Sequence, residues 1–586
     1  MIKLQNFFLK LNGFQVILSL IVLLAFFIRL YHVDIIRLTH DEMSLGYNAY
    51  SILKTGKDEW GRLLPLDFEA FGDHKLPAYI YSAVPFIALF GLTELAVKLP
   101  SILAGTILVG LVYLLAKQLT KDQLTPLLAA GIAAFSPVTI HLSRLALEAN
   151  LALVILAAAL WLISRIFKLR ISTRDESPFG RKDEGLIIAS LSAGLLLSLT
   201  LYTYTAYRLL IPIFLLAVSY LAWRQKKLKS LKLIWLSFLI ALIPLLPSLI
   251  VQKGTARFAQ ISIFSSSGVV DSINDRRAFC YLTGPKILGY ACKFVYNKPV
   301  AYLQVFTQAY LHSLSPDFLF LSGDQHAYLS NPRFGEFFAI LIPFYLIGLF
   351  VLFRRQDELA RLLFFLFFLA PIPGALSGEA QIVRLSPVII PVMLMIALGI
   401  EASREWLAKQ KTWKLLNYSV HSVCLVTFAF LTFSLLISTY YIYPFKYDEN
   451  FYRLSKSLVS FIKPNNGEYD LIYVNDKFAD AHILFAFYEK IDPAWYQTNI
   501  IRNSVDSYGF SHAQQLGKLT FGPQNPESFL CDESQKVLYI GENYLIGEHV
   551  TKFKNFSGVH VQAEVIDIQL WRHSLKSNKE FDNFCP

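Results

Sequence analysis

Long apolar runs recur along the first three quarters of the chain, broken by short polar joints. Many are about 17–25 residues long, the length that crosses bilayer hydrocarbon as a helix. They predict spans at 14–31, 95–116, 124–141, 151–167, 186–202, 210–223, 233–251, 337–353, 362–372, 385–400 and 420–440, about eleven in all. The run 362–372 is short, and Pro371, Pro373 and Gly374 predict a broken outer end. The run 77–90 admits two readings. As a crossing it would put Lys117 and Lys121 outside. As a half-embedded helix at the outer interface it gathers the basic joints on one face: Lys117 and Lys121, Lys168 to Lys182, Arg224 to Lys229, Arg354 to Arg361, and Arg404 to Lys414. Basic loops collect on the cytoplasmic side, so 77–90 is expected to lie beside the membrane rather than across it.

Beyond residue 440 the pattern changes. A polar tail of about 145 residues is long enough for a small domain. Its runs 470–474, 536–540 and 561–570 predict strands, and 479–488 predicts a helix. The expected architecture is mainly α: a polytopic membrane module over 1–440, with outer stretches at 32–94 and 252–336, followed by a small extracytoplasmic α/β domain over 441–586.

Composition agrees. Hydrophobic residues make up 54% of the 586 and charged residues only 17%, which excludes an ordinary soluble domain. The formal net charge of +11 would suggest nucleic acid for a soluble protein; in the joints between spans it reports topology instead, so no nucleic-acid partner is expected. Five cysteines cannot all pair. Cys424 falls in an apolar run, while Cys280 with Cys292, or Cys531 with Cys585, can pair in an oxidising compartment. The segment 14–31, preceded by Lys3 and Lys10, reads as a retained anchor rather than a cleaved signal.

Ionisable residues near hydrocarbon are costly and gather at function. Clusters stand at Thr39-His40-Asp41-Glu42, at Asp73-His74-Lys75-Leu76-Pro77, at Ser143-Arg144 with Glu148 and Asn150, and at Arg384-Leu385-Ser386-Pro387. An acceptor hydroxyl needs a carboxylate base, and a departing phosphate needs cations; two acidic sites with Lys75, Arg144, Arg208 and Arg384 supply both. Each residue also has a plain reading. Asp41 and Glu42 can be solvated loop acids, Lys75 can snorkel beside an interfacial helix, Arg144 and Glu148 can be a helix pair, and Arg384 can anchor a span. Asp324 and His326 read as solvated loop residues, with an acceptor cleft as the alternative.

These stretches resemble the GT-C superfamily, in the branch of protein O-mannosyltransferases and aminoarabinose transferases. The resemblance rests on Arg29-Leu-Tyr-His, His40-Asp-Glu, Asn48-Ala-Tyr, His74-Lys75-Leu76-Pro77-Ala78-Tyr79, Glu94-Leu-Ala-Val-Lys-Leu-Pro-Ser and Ser143-Arg144-Leu-Ala-Leu-Glu148-Ala-Asn150. Leu76 stands where the family has proline. It implies a GT-C fold and transfer of a sugar from a polyprenyl-phosphate donor to a hydroxyl of a protein, lipid or glycan, with inversion. By resemblance Asp41 is the base, Glu42 supports it, Glu148 is the second acid, and Lys75 and Arg384 meet the donor phosphate. His74, Arg144, Tyr207 and Arg208 join the substrate-binding set. His74 replaces an acidic residue of some relatives, so no metal role is carried onto it and no cofactor is expected. Glu42, Asp73 and Glu148 keep a metal-dependent oligosaccharyl-transferase variant open. A transporter or flippase is the rival of another class; it predicts mid-membrane charges and matching broken helices in two halves, and neither pattern is evident.

Overall fold

The computed structural model describes residues 13–70, 73–168, 181–250, 262–283, 288–409, 414–447, 454–465, 467–478, 480–504, 510–542, 550–554 and 561–585. Lys3, Lys10, Arg170, Arg174, Lys411, Val251 and Ala479 lie outside them. The chain divides into two compact units, one of Met1–Tyr31 with Ser101–Ile437 and one of His32–Pro100 with Ser438–Pro586.

The protein is a multi-pass integral membrane protein. Among the described residues nine helices are long and apolar enough to cross a membrane, and a bent pair makes ten. The bend falls in the predicted span 124–141: Leu124–Phe135 and Pro137–Arg144 meet at 50°. Proline at the first position of the second helix cannot continue the first one's hydrogen bonds, and the next amide, Val138 N, donates instead to Glu336 O at 3.1 Å. The predicted span 337–353 corresponds to Ala339–Arg354, shorter than a full crossing helix, as is Pro77–Phe90. Run 362–372 breaks as its prolines predict, into Glu358–Leu369 and Ile372–Leu376.

Helix association in a bilayer depends on close packing, and glycines permit it here. A Cβ on Gly348 would lie 1.7 Å from Met395 O, and one on Gly399 would lie 1.8 Å from Phe344 O. Helices Ile342–Arg354 and Ile389–Lys409 therefore touch backbone to backbone.

The second unit holds a hairpin, β1 (Phe68–Ala70) and β2 (Asp73–Lys75), and a seven-stranded sheet. The sheet comprises β3 (Leu471–Asn475), β4 (Ile500–Arg502), β5 (Ala513–Leu516), β6 (Leu519–Gly522), β7 (Val537–Gly541), β8 (Val550–Lys554) and β9 (Val561–Asp567), in the order β4-β5-β6-β3-β7-β9-β8. β3 runs parallel to both β6 and β7. The apolar runs read as strands are these buried central ones. The predicted strand 561–570 ends early: Asp567 accepts from Gln569 N and Leu570 N, and a helix begins at Ile568. Tyr473, Tyr539, Ile566, Trp571 and Leu575 form the core between sheet and helix. Both cysteine pairs are joined, Cys280 to Cys292 and Cys531 to Cys585, and Cys424 is a free thiol.

Candidate functional site

In the second unit, helix His40–Thr55 starts with a capping box. Thr39 Oγ1 accepts from Glu42 N at 3.3 Å, and Glu42 Oε2 accepts from Thr39 N at 2.9 Å. Glu42 is thereby buried, 1% exposed. Its neighbour Asp41 faces the other way, with 44% of its side chain exposed. Both acids sit in the first helical turn, where unpaired amides favour negative charge. The hairpin pairs Phe68 with Lys75 and presents the lysine to this turn. Lys75 Nζ donates to Asp41 Oδ1 at 2.5 Å, from a side chain only 5% exposed. His40 Nε2 stands 3.8 Å from Asp41 Oδ2. His74, alternating to the other face of the strand, lies 2.9 Å from Asp67 Oδ2 and stacks obliquely near Phe510.

The tail domain adds residues that the sequence did not suggest. Asp480, in left-handed backbone with φ +57°, has His512 Nδ1 at 3.7 Å from its Oδ1. Burial raises its pKa, His40 and His512 pull it back, and Asp41 pushes it up, so Asp480 and the Asp41 turn share one electrostatic neighbourhood. The helix that follows Asp480 packs closely on the Asp41 helix: a Cβ at Gly46 would meet Phe487 at 2.9 Å. Tyr488 Oη also donates to Glu94 Oε1 at 3.1 Å. Deeper in the unit, burial pushes Glu59 up to about 7, beside Arg502, whose guanidinium lies 3.7 Å from the Trp60 ring centre.

In the membrane unit, Arg144 is buried and donates to the end of the first span, to Ile28 O and Arg29 O at 3.2 Å and to Tyr31 O at 2.6 Å. A cation there complements the carbonyl end of a helix. Glu148 begins helix Glu148–Lys168 and is partly exposed. Tyr207 Oη and Ser386 Oγ are 3.1 Å apart, which joins two of the predicted motifs. Arg208 Nε donates to Leu201 O at 3.2 Å, and Arg384 Nη1 donates to Ser377 Oγ. Asp324 departs from the expectation of a solvated loop acid. It is fully buried, because its carboxylate accepts from His326 N and from Ile382 N, 58 residues further along.

Within the second unit, then, Asp41, Lys75 and His40 come together, and His74 turns to Asp67. Within the membrane unit, Tyr207 meets the Arg384 motif through Ser386. Among the described residues no three His, Cys, Asp or Glu side chains converge to hold a metal ion.

The sequence pattern of the dolichyl-phosphate-mannose-protein mannosyltransferase family matches residues 74–251. ArnT from Cupriavidus metallidurans, in the apo state, has the same fold with a TM-score of 0.50 at 11% identity, over 90% of this chain and 92% of that one. Residues 74–251 thus carry that family's pattern, and the chain as a whole has the ArnT fold. It also aligns with ArnT bound to undecaprenyl phosphate, at TM-score 0.47 and 12% identity over 95% and 98% of the two chains. The apo Archaeoglobus fulgidus oligosaccharyltransferase aligns at TM-score 0.49 and 14% identity over 82% of this chain, which spans 64% of that protein's length. Curated proteins give no significant sequence match. The matched family range contains Lys75, Arg144, Glu148, Tyr207 and Arg208, while Asp41, Glu42 and Arg384 lie outside it.

Proposed function

We propose that this protein is a GT-C membrane glycosyltransferase that takes a sugar from a polyprenyl-phosphate carrier and places it on a hydroxyl of a protein, lipid or glycan at the extracytoplasmic side. The donor class is supported by the matched family, whose name specifies a dolichyl-phosphate sugar donor. The side is supported by the two joined cysteine pairs, which persist in oxidising compartments.

The observation that carries the reading is the Asp41–Lys75 ion pair: an accessible carboxylate held at 2.5 Å by a nearly inaccessible ammonium. In the proposed reaction the acceptor oxygen attacks the anomeric carbon and its proton passes to the Asp41 carboxylate. The bond from that carbon to the phosphate oxygen breaks as the new bond forms, with inversion. The leaving polyprenyl phosphate keeps the electron pair. Lys75, already desolvated, opposes the charge that develops on it more strongly than a hydrated lysine would. Glu42 supports the base by fixing the helix start. Arg384 serves as a second cation, Glu148 as a second acid, and His74, Arg144, Tyr207 and Arg208 shape the binding surface.

The test is transfer from labelled polyprenyl-phosphate sugars in liposomes by Asp41→Asn. The expected loss is about 10²–10⁴-fold, the range for a general base, with unchanged thermal unfolding. Transfer at the wild-type rate would exclude Asp41 as the base.

A further inference from the structure

A second acid–base pair lies in the membrane unit, and the reaction above does not use it. Asp324 Oδ1 accepts from His326 N and from His326 Nδ1, both at 2.9 Å. Asp324 Oδ2 accepts from Ile382 N, and Asp324 N donates to Glu336 Oε1, both at 2.8 Å. The acid is inaccessible while half of the histidine is exposed. A carboxylate on Nδ1 assigns the proton to that nitrogen and leaves Nε2 as an acceptor. Nε2 is on the open side of the ring, 4.0 Å from Glu379 Oε2. Burial pushes Glu336 up to about 8, so near neutral pH its carboxyl is mostly uncharged beside Asp324.

The open side is a cavity of about 420 Å³, lined among others by Gln308, His312, Gln325, His326 and Glu379. That is within the size range of small-ligand sites, about 300–1,000 Å³. Among the described residues no lysine or arginine lines it, and its acids disfavour a phosphate. Amides, imidazoles and a carboxylate give donors and acceptors in the mixture that neighbouring hydroxyls require. The wall continues into the Arg384 motif, because the Asp324 carboxylate holds Ile382 N.

We propose that this pocket is a carbohydrate subsite that holds a neutral, hydroxyl-rich part of the acceptor, with His326 Nε2 accepting from one of its hydroxyls. The subsite rests on the glycosyltransferase reading, and it narrows the acceptor class to one that carries a glycan. Asp324 is a positioning residue. Asn in its place can still accept from Ile382 N but can offer its amide N–H to Nδ1, which moves the ring proton to Nε2 and removes the acceptor.

The test uses the full-length protein in lipid nanodiscs. Histidines are acylated with diethyl pyrocarbonate and read site by site by mass spectrometry, alone, with methyl glycosides of neutral hexoses, and with inorganic phosphate. Neutral glycosides are expected to slow modification of His326 and to leave the exposed His573 unchanged; phosphate is expected to protect neither. With a glycan acceptor, His326→Gln and Asp324→Asn are expected to raise the acceptor KM about tenfold, the loss of one hydrogen bond, with a smaller change in kcat. Unaltered His326 labelling under glycosides, equal protection by phosphate, or an unchanged KM overturns the subsite. Transfer at the wild-type rate by Asp41→Asn, with His326 still protected, overturns the reaction and not the pocket.

Discussion

At Asp41 the acid is the accessible partner and the cation is hidden, with Asp41 44% and Lys75 5% exposed. At Asp324 the arrangement is reversed: the acid is at 0% and its histidine at 50%. An acid exposed beside a buried cation can exchange a proton with a substrate. An acid buried beneath a histidine can only orient the ring. On the proposed reading the same residue type serves chemistry in one unit and positioning in the other, and burial separates the roles where residue identity cannot. The contrast recurs within one turn, where adjacent Asp41 and Glu42 differ because only Glu42 is drawn into the capping box.

The comparison can be broken most forcefully at Lys75. Lys75→Met would, on the proposed reaction, remove the counter-charge to the leaving phosphate and is expected to lower transfer about 10²–10³-fold, the cost of one preorganised electrostatic partner, measured by single-turnover transfer in liposomes. The Asp324 side should respond in stability instead. Asp324→Ala strands Ile382 N and His326 N, and a loss of about 3 kcal/mol is expected in denaturant unfolding, whereas Asp324→Asn, which strands only one of the two, should cost less.

Buried acids sharpen the contrast through pH. Glu336 rises from 4.5 to about 8 on folding and Glu59 from 4.5 to about 7. A folded-state rise means that the native protein holds the proton more tightly. The contribution is therefore complete below about 4.5 and is lost as pH climbs through these higher values. Melting temperature is expected to fall between about pH 4.5 and 8 in the wild type, and Glu336→Gln with Glu59→Gln should flatten that decline. The smallest effect belongs to Glu42→Ala, where loss of the cap should cost about 1 kcal/mol, read from the thermal shift.

The membrane helices were legible because long apolar runs have few other uses. The bend at Pro137 was written in the sequence too, but a continuous run concealed it. Around the site, Asp41 and Lys75 were visible as a charge pattern at the ends of apolar segments. The capping box Thr39-x-x-Glu42 was equally visible and gives Glu42 a role the motif alone did not. Asp480 and His512 carry no local signal, since their relation to Asp41 arises only from the fold of a tail more than four hundred residues away. Asp324 was misread for the same reason: the amide that buries it belongs to Ile382, distant in sequence.

On the proposed reaction Asp41, and not its neighbour, handles the acceptor's proton. The most direct measurement is single-turnover transfer by Asp41→Asn and Glu42→Gln, side by side, in liposomes with a labelled polyprenyl-phosphate sugar. A loss of at least about a hundredfold is expected for the first and near wild-type transfer for the second. Equal losses, or the reverse order, would contradict it.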